Sequence, residues 1–115
     1  MKLGLAVIGL MLCSVAHANL EDAAENLSVC VTKYADSQVK TTKSAGNITD
    51  EALEECRAEL SGYHDAIGPD KAQFSVLSAQ QKEAISKIRD QATSKFRESL
   101  YSRMVTFIAE SRKSS

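Results

Sequence analysis

Cysteines are the residues of this chain whose number and position point most directly to a covalent reaction. The sequence contains three of them, Cys13, Cys30 and Cys56. Cys13 lies in a segment that we expect to be removed, and an even pair left in an exported domain indicates a disulfide. In the chain-entropy treatment, closing a loop of about 27 residues stabilises the fold by roughly 3.5 kcal/mol. The alternative is a pair of free buried thiols.

The first eighteen residues predict export. A single cation, Lys2, precedes an uncharged apolar stretch from Leu3 to Leu12, and the segment ends with Ala16-His17-Ala18. Small residues at the two positions that a signal peptidase reads are typical of a secretory signal peptide. The apolar stretch is too short to span a bilayer stably. We therefore expect residues 1–18 to be a signal peptide.

Cleavage leaves one small domain. We expect the cut before Asn19, with a cut before His17 as the alternative. Lipidation of Cys13 is disfavoured because bulky Leu12 occupies a position that requires a small residue in lipoproteins. The remaining residues, 19–115, are enough for a single domain, which the sequence assigns to the periplasm or to the secreted fraction.

Histidine offers little support for catalysis. His64 is the one histidine that remains after cleavage, and its i−4 neighbour is Leu60, so the helical spacing of a two-ligand metal site is missing. Ser61, His64 and Asp65 lie close in sequence, but no sharp strand-to-helix turn presents a nucleophile there. The sequence therefore predicts no catalytic residues, no cofactor-binding residues and no enzymatic activity.

A row of glutamates is the strongest candidate for metal binding, and it is more typical of a solvated face. Glu51, Glu55 and Glu59 recur every four residues, with Glu54 beside them. Such a row could hold a hard cation, but no acidic loop supplies further oxygen ligands. We expect no metal site.

The pattern of apolar residues predicts an all-α fold. No proline or glycine follows Pro69, and no strand-like alternation occurs. A first helix is predicted over Leu20–Lys40, then a polar loop over Thr41–Asn47. A second helix begins with Thr49 as its cap and ends before Gly68-Pro69. Each helix carries one cysteine on its apolar stripe, so an antiparallel hairpin would bring the two together.

The third helix is predicted to be much longer than the other two. Ser78 and Gln81 form the S-x-x-Q pattern of a capping box, which places its start at Ser78. Residues 70–76 are then a connector or a short extra turn. A helix of about 35 residues, ending near Arg112, would span roughly 50 Å. Either it kinks near Gln91, which would give four helices, or one end extends beyond the hairpin.

That long helix carries the predicted partner-binding residues. A hairpin of about 30 Å leaves the C-terminal part of a straight helix uncovered. We therefore expect an exposed apolar stripe that pairs with itself or docks on a protein partner. The stripe consists of Leu100, Met104, Phe107 and Ile108.

Charge is divided unevenly along the chain. Residues 19–66 carry 10 acidic and 4 basic side chains, whereas residues 67–115 carry 5 acidic and 9 basic ones. This asymmetry is best explained by two halves that pack with complementary faces, ahead of an anionic partner for the basic half. Acids interleave with the cations of the third helix, which argues against nucleic-acid binding and makes a membrane surface the second choice.

One short segment resembles a known family. Leu77–Gln81 (LSAQQ) is similar to the L-T-x-x-Q motif of the periplasmic Spy/CpxP helical stress chaperones, with Ser78 in place of threonine. The likeness covers five residues and occurs once, and a disulfide hairpin is not a feature associated with that family. Because the sequence offers no catalytic or cofactor-binding set, it predicts by elimination a non-catalytic binding protein, such as an adaptor, inhibitor, immunity-type or chaperone-like protein. The alternative is an amphipathic protein that acts on anionic membrane surfaces.

Overall fold

The structure, a computed structural model, describes the backbone of residues 2–114 and the side chains of residues 19–114. Five helices make up the fold, and the described residues contain no strand. They are α1 (Lys2–Gln38), α2 (Ala45–Glu55), α3 (Arg57–Ala66), α4 (Lys71–Ser75) and α5 (Ala79–Ser114). The predicted signal segment, residues 1–18, lies outside the described side chains. Within the residues whose side chains are described, no helix has the length and apolarity that crossing a membrane requires.

The disulfide hairpin is confirmed. Cys30 of α1 and Cys56 are joined by a disulfide, with their Cα atoms 6.0 Å apart. Cys56 also marks a joint that the sequence analysis missed, because the predicted second helix is two helices, α2 and α3. Hydrogen bonding continues through the joint: the Cys56 N–H donates to the Ala52 carbonyl (2.9 Å), and the Leu60 N–H donates to the Cys56 carbonyl (3.0 Å).

The start of α2 corrects the predicted cap. Ser44 is the N-cap, and its hydroxyl accepts a hydrogen bond from the Asn47 N–H at 3.1 Å. Thr49 is instead buried inside the helix, where its hydroxyl donates to the Ala45 carbonyl at 2.8 Å. Serine and threonine both cap helices well, and the earlier one is used here. Gly46 then lies against α5, where an added Cβ would stand only 2.8 Å from the Tyr101 hydroxyl oxygen.

The elements between α3 and α5 follow from turn and cap chemistry. Gly68 takes the left-handed conformation (φ 84°) beyond α3, and Pro69 follows it. Residues 70–76 form the short extra turn that was one of the two alternatives, since Asp70 caps α4 with a capping box. The predicted capping box of α5 is confirmed: the Gln81 N–H donates to the Ser78 hydroxyl (3.1 Å), and the Ser78 N–H donates to the Gln81 side chain (3.0 Å). The helix then continues unbroken to Ser114.

The apolar core lies where the second half of α5 packs against α1 and α2. The buried cluster consists of Leu27, Val31, Ala35, Ile48, Ala52, Leu53, Cys56, Leu100, Met104 and Ile108. The expectation of an exposed C-terminal stripe is therefore wrong for Leu100, Met104 and Ile108, and Phe107 packs against the same cluster.

The C-terminal stripe is buried because of the way α5 is aligned with the hairpin. Its C-terminal end, at Arg112, reaches the loop after α1, and its N-terminal half runs past the end of α3. The part of α5 that has no buried apolar residue among the described side chains is therefore the first half, the opposite end from the one predicted. Apolar spacing shows which face of a helix is buried, whereas alignment along the axis depends on long-range packing.

Candidate functional site

The first candidate surface is a shallow apolar groove between α1 and α5, called here the α1/α5 groove. It has a volume of about 430 Å³. Its walls are formed by Ser28, Val29, Thr32, Lys33, Asp36 and Phe107. Val29 is 54% exposed at this groove. Of the four residues predicted to bind a partner, Phe107 alone lines this groove, whereas the other three belong to the core.

The second candidate surface is a smaller cavity where α3, α4 and α5 meet, called here the arginine pocket. It is lined by Asp65, Lys71, Phe74 and Arg89 and has a volume of about 290 Å³. Arg89 is 8% exposed. Its Nε–H donates to the Ile67 carbonyl at 2.7 Å, and its Nη2 donates to the carbonyls of Pro69 (2.9 Å) and Asp65 (3.4 Å). These carbonyls close the C-terminal end of α3, where the helix dipole favours a cation.

The short helix α4 places an aromatic ring over that guanidinium. The Arg89 Cζ lies 4.9 Å from the centroid of the Phe74 ring, and the Lys82 Nζ lies 5.8 Å from it. Both distances are within the range of a cation–π interaction. Asp70 fixes the helix that carries Phe74, because its carboxylate accepts the Gln73 N–H at 2.8 Å. The ring therefore forms one wall of the arginine pocket.

His64 joins α3 to α5 beside the arginine pocket. Its Nδ1 lies 3.1 Å from an Asp65 carboxylate oxygen, and its Nε2 lies 2.8 Å from an Asp90 carboxylate oxygen. The hydrogen bond to Asp65, followed by that to Asp90, raises the pKa of His64 above its ordinary value of 6.5. Both ring nitrogens thus contact carboxylates, and the structure does not pair the histidine with Ser61 within the described residues.

The predicted glutamate row is divided between two places. Glu51 accepts hydrogen bonds from the Tyr34 hydroxyl (2.8 Å) and from the Lys43 ammonium (2.9 Å), which fastens the loop after α1. Lys43, and then Tyr34, lower the pKa of Glu51 below its usual 4.5. Glu59 instead lies within 4.8 Å of the sulfur atoms of Cys30 and Cys56. Those sulfurs are joined in the disulfide, so they are not thiolate ligands.

Two arginines bind backbone carbonyls in a way that the sequence did not predict. Arg112 mirrors Arg89 at the other end of α5: its Nε–H donates to the Val39 carbonyl (2.9 Å), and its Nη2 donates to the carbonyls of Thr41 (3.0 Å) and Lys43 (2.6 Å). A sequence signal for Arg89 exists, because it follows Ile85 by four residues and so falls on the apolar face. Ile88, which follows Ile85 by three residues, is 53% exposed.

Comparison with family models, curated proteins and solved structures finds no match to this chain.

Proposed function

We propose that this chain is a small exported binding protein without catalytic activity, and that the α1/α5 groove receives an apolar segment of a protein partner. The observation that carries the proposal is the exposed Val29 beside Phe107, on two helices whose other apolar faces form the core. Exposed apolar patches with polar rims are typical of interaction sites on soluble proteins.

Export is supported by the cysteine pair and by the predicted signal segment. A disulfide between α1 and the α2–α3 joint is compatible with an oxidising compartment. If the segment is removed as proposed, intact-mass analysis of protein from the envelope or secreted fraction will give a chain that begins at Asn19. A mass that retains residues 1–18 in that fraction would contradict the proposed cleavage.

The rim of the groove favours a protein partner over a membrane surface. Lys33 and Asp36 are both exposed at the groove and carry opposite charges. Anionic membrane surfaces select helices whose polar face is dominated by lysine and arginine. A rim with one charge of each sign instead suits a segment that carries an apolar ridge between an acid and a base.

Site-specific photo-crosslinking tests the binding role. Val29 is replaced by a photo-crosslinking phenylalanine analogue in the full chain, expressed in its own envelope. The matched control has the same replacement at Ala109, which is exposed on another face of α5, about 200° around the helix from Phe107. We expect one heterologous protein to be crosslinked from position 29 and not from position 109. The same replacement at Val105, which does not line the groove, is a second control and should give no further adduct.

Three other outcomes would overturn the proposal. The same adducts at positions 29 and 109 would show non-specific proximity. An adduct of twice the chain mass, with no other, would assign the groove to self-association. Crosslinking to lipid alone at position 29, with co-sedimentation of the protein on anionic vesicles, would favour the membrane-surface alternative.

A further inference from the structure

We propose that the arginine pocket is a binding site for a carboxylate group. This inference does not depend on the α1/α5 groove, because the two sites share no lining residue. A carboxylate of this kind can come from an acidic side chain or from a free chain terminus, and the two sources present the same planar anion to the pocket.

The first argument is that a nearly buried guanidinium has no ionic partner among the described residues. Arg89 is nine-tenths buried, and within residues 19–114 no carboxylate lies at ion-pair distance from its guanidinium. Its partners are neutral backbone carbonyls and the Phe74 ring. Buried charges are ordinarily paired, because removing a charge from water is costly. A bound anion would supply the missing partner.

The second argument is that the guanidinium is held in position with donors left over. Nε and Nη2 make all three of its hydrogen bonds to the described residues, and Nη1 makes none. Arginine has five N–H donors in a planar fork that suits a carboxylate. Because the other side of the fork is fixed by carbonyls, little side-chain entropy remains to be lost on binding.

The third argument is the composition of the walls. Lys71 supplies a second cation and, within the part of the chain that is described, has no ion pair. The one acid in the lining, Asp65, is already hydrogen-bonded to His64. The Phe74 ring offers apolar contact for the methylene groups of a ligand.

The charge balance favours a carboxylate over phosphate. Two cations and one carboxylate line the pocket, so a singly charged ligand neutralises it. Phosphate carries more than one negative charge near neutral pH and would also face Asp65, which disfavours it. The volume of about 290 Å³ accommodates one side chain or a chain end.

An NMR titration of the oxidised protein tests the inference. Acetate is the probe, acetamide is the neutral isostere, and inorganic phosphate is the competing anion. We expect acetate to shift the signals of Lys71, Phe74 and Arg89 in a saturable manner, and acetamide to leave them in place. Non-saturable shifts, equal shifts with acetamide, or tighter binding of phosphate would each overturn the carboxylate assignment.

Variants separate binding from folding. Lys71→Gln removes an exposed cation and should weaken acetate binding about fivefold, the effect of one solvent-exposed ion pair. Lys87→Gln makes the same charge change on α5 outside the pocket and should leave affinity unchanged. Arg89→Lys keeps the charge but loses the fork, and should abolish saturable binding. Equal affinity in Lys71→Gln and the wild type would contradict the proposed site even if the Arg89 variant does not fold.

Two peptides then identify the source of the carboxylate. One carries an internal glutamate between blocked ends, and the other has a free C-terminal carboxylate and no acidic side chain. Stronger binding of the first assigns the pocket to acidic side chains, and stronger binding of the second assigns it to chain ends. Failure of both peptides, with acetate also inactive, would overturn the inference.

Discussion

The two halves of α5 are attached to the rest of the molecule by different means. The second half contributes Leu100, Met104 and Ile108 to the core, whereas in the first half Arg89 is the one buried residue among the described side chains. Yet each half has an arginine that donates to three backbone carbonyls. The two halves thus make similar arginine–carbonyl hydrogen bonds, whereas within residues 19–114 the second half alone contributes buried residues to the apolar core.

The comparison shows how stability is distributed along a single helix. Burial of a leucine, isoleucine or methionine side chain contributes about 1.5–3 kcal/mol, so the three buried apolar residues dominate the second half. A hydrogen bond from a charged donor contributes roughly 1.5–3 kcal/mol, and Arg89 makes three such bonds in the first half. Two weaker contacts add to them there: the Asp90 carboxylate lies 2.8 Å from the His64 ring, and the Phe96 ring stacks on Tyr63. Binding regions are typically drawn from the less stable parts of a fold, which is where the arginine pocket lies.

The largest expected effect comes from the disulfide, which joins the two helical arms of the hairpin beside the core. Replacing Cys30 and Cys56 together by serine should lower the free energy of unfolding by about 3.5 kcal/mol. Urea denaturation of the variant, compared with the oxidised wild type, measures the effect. A loss below about 1 kcal/mol would mean that packing alone holds the hairpin, against this account.

Two isoleucines on α5 compare the halves directly. Ile108 is fully buried and Ile88 is 53% exposed. Ile108→Ala should destabilise the protein by about 2–5 kcal/mol, because it leaves a cavity in the core. Ile88→Ala should change the free energy of unfolding by less than about 0.5 kcal/mol. Thermal unfolding followed by circular dichroism measures both, and similar losses would break the comparison.

Arginine 89 should matter for the first half and little for the second. Arg89→Gln removes hydrogen bonds to the end of α3 and should lower the free energy of unfolding by about 1–3 kcal/mol. Lys87→Gln is the matched control, since Lys87 is exposed two residues away, about 200° around the helix, and should change the free energy of unfolding by less than about 0.5 kcal/mol. An Arg89 variant as stable as the control would show that the guanidinium is dispensable.

The smallest expected effects are opposite responses to pH. The pKa of His64 is raised in the fold, so its contribution is complete below about pH 6.5 and is lost as the pH rises through the raised value. The pKa of Glu51 is lowered, so its contribution is complete above about pH 4.5 and is lost as the pH falls through the lowered value.

Urea denaturation at several pH values checks both signs. His64→Gln should differ most from wild type at pH values below 6.5 and least in mildly alkaline buffer. Glu51→Gln should differ from wild type near neutral pH and converge with it in acid. A His64 variant whose deficit grows as the pH rises would contradict the assigned interaction.

The sequence is sufficient for the features that depend on local chemistry. The helical class, the capping box at Ser78, the stop at Gly68-Pro69 and the Cys30–Cys56 pair are all confirmed, because each follows from neighbouring residues or from simple elimination. The predicted start of α2 is wrong because Ser44 and Thr49 can both cap a helix, and the prediction considered Thr49 alone.

The candidate sites depend on how distant helices align along their axes, and the periodicity of apolar residues carries no information about that alignment. The position of α5 along the axis of the hairpin decides whether Leu100 lies in the core or at the surface. In the structure, this position buries three of the four predicted partner-binding residues in the core. Arg89 was missed because a charged side chain on an apolar face is ordinarily a boundary residue, and its carbonyl partners lie about twenty residues away in sequence.

Native-state hydrogen exchange tests most directly the claim that one half of α5 is held by the core and the other by Arg89. Amides of residues 98–110 should exchange with a free energy close to that of global unfolding, whereas those of residues 83–92 should exchange through a local opening of lower free energy. Arg89→Gln should lower the second value further and leave the first close to the global value. Equal protection of the two segments in the wild type, and again in Arg89→Gln, would contradict the account.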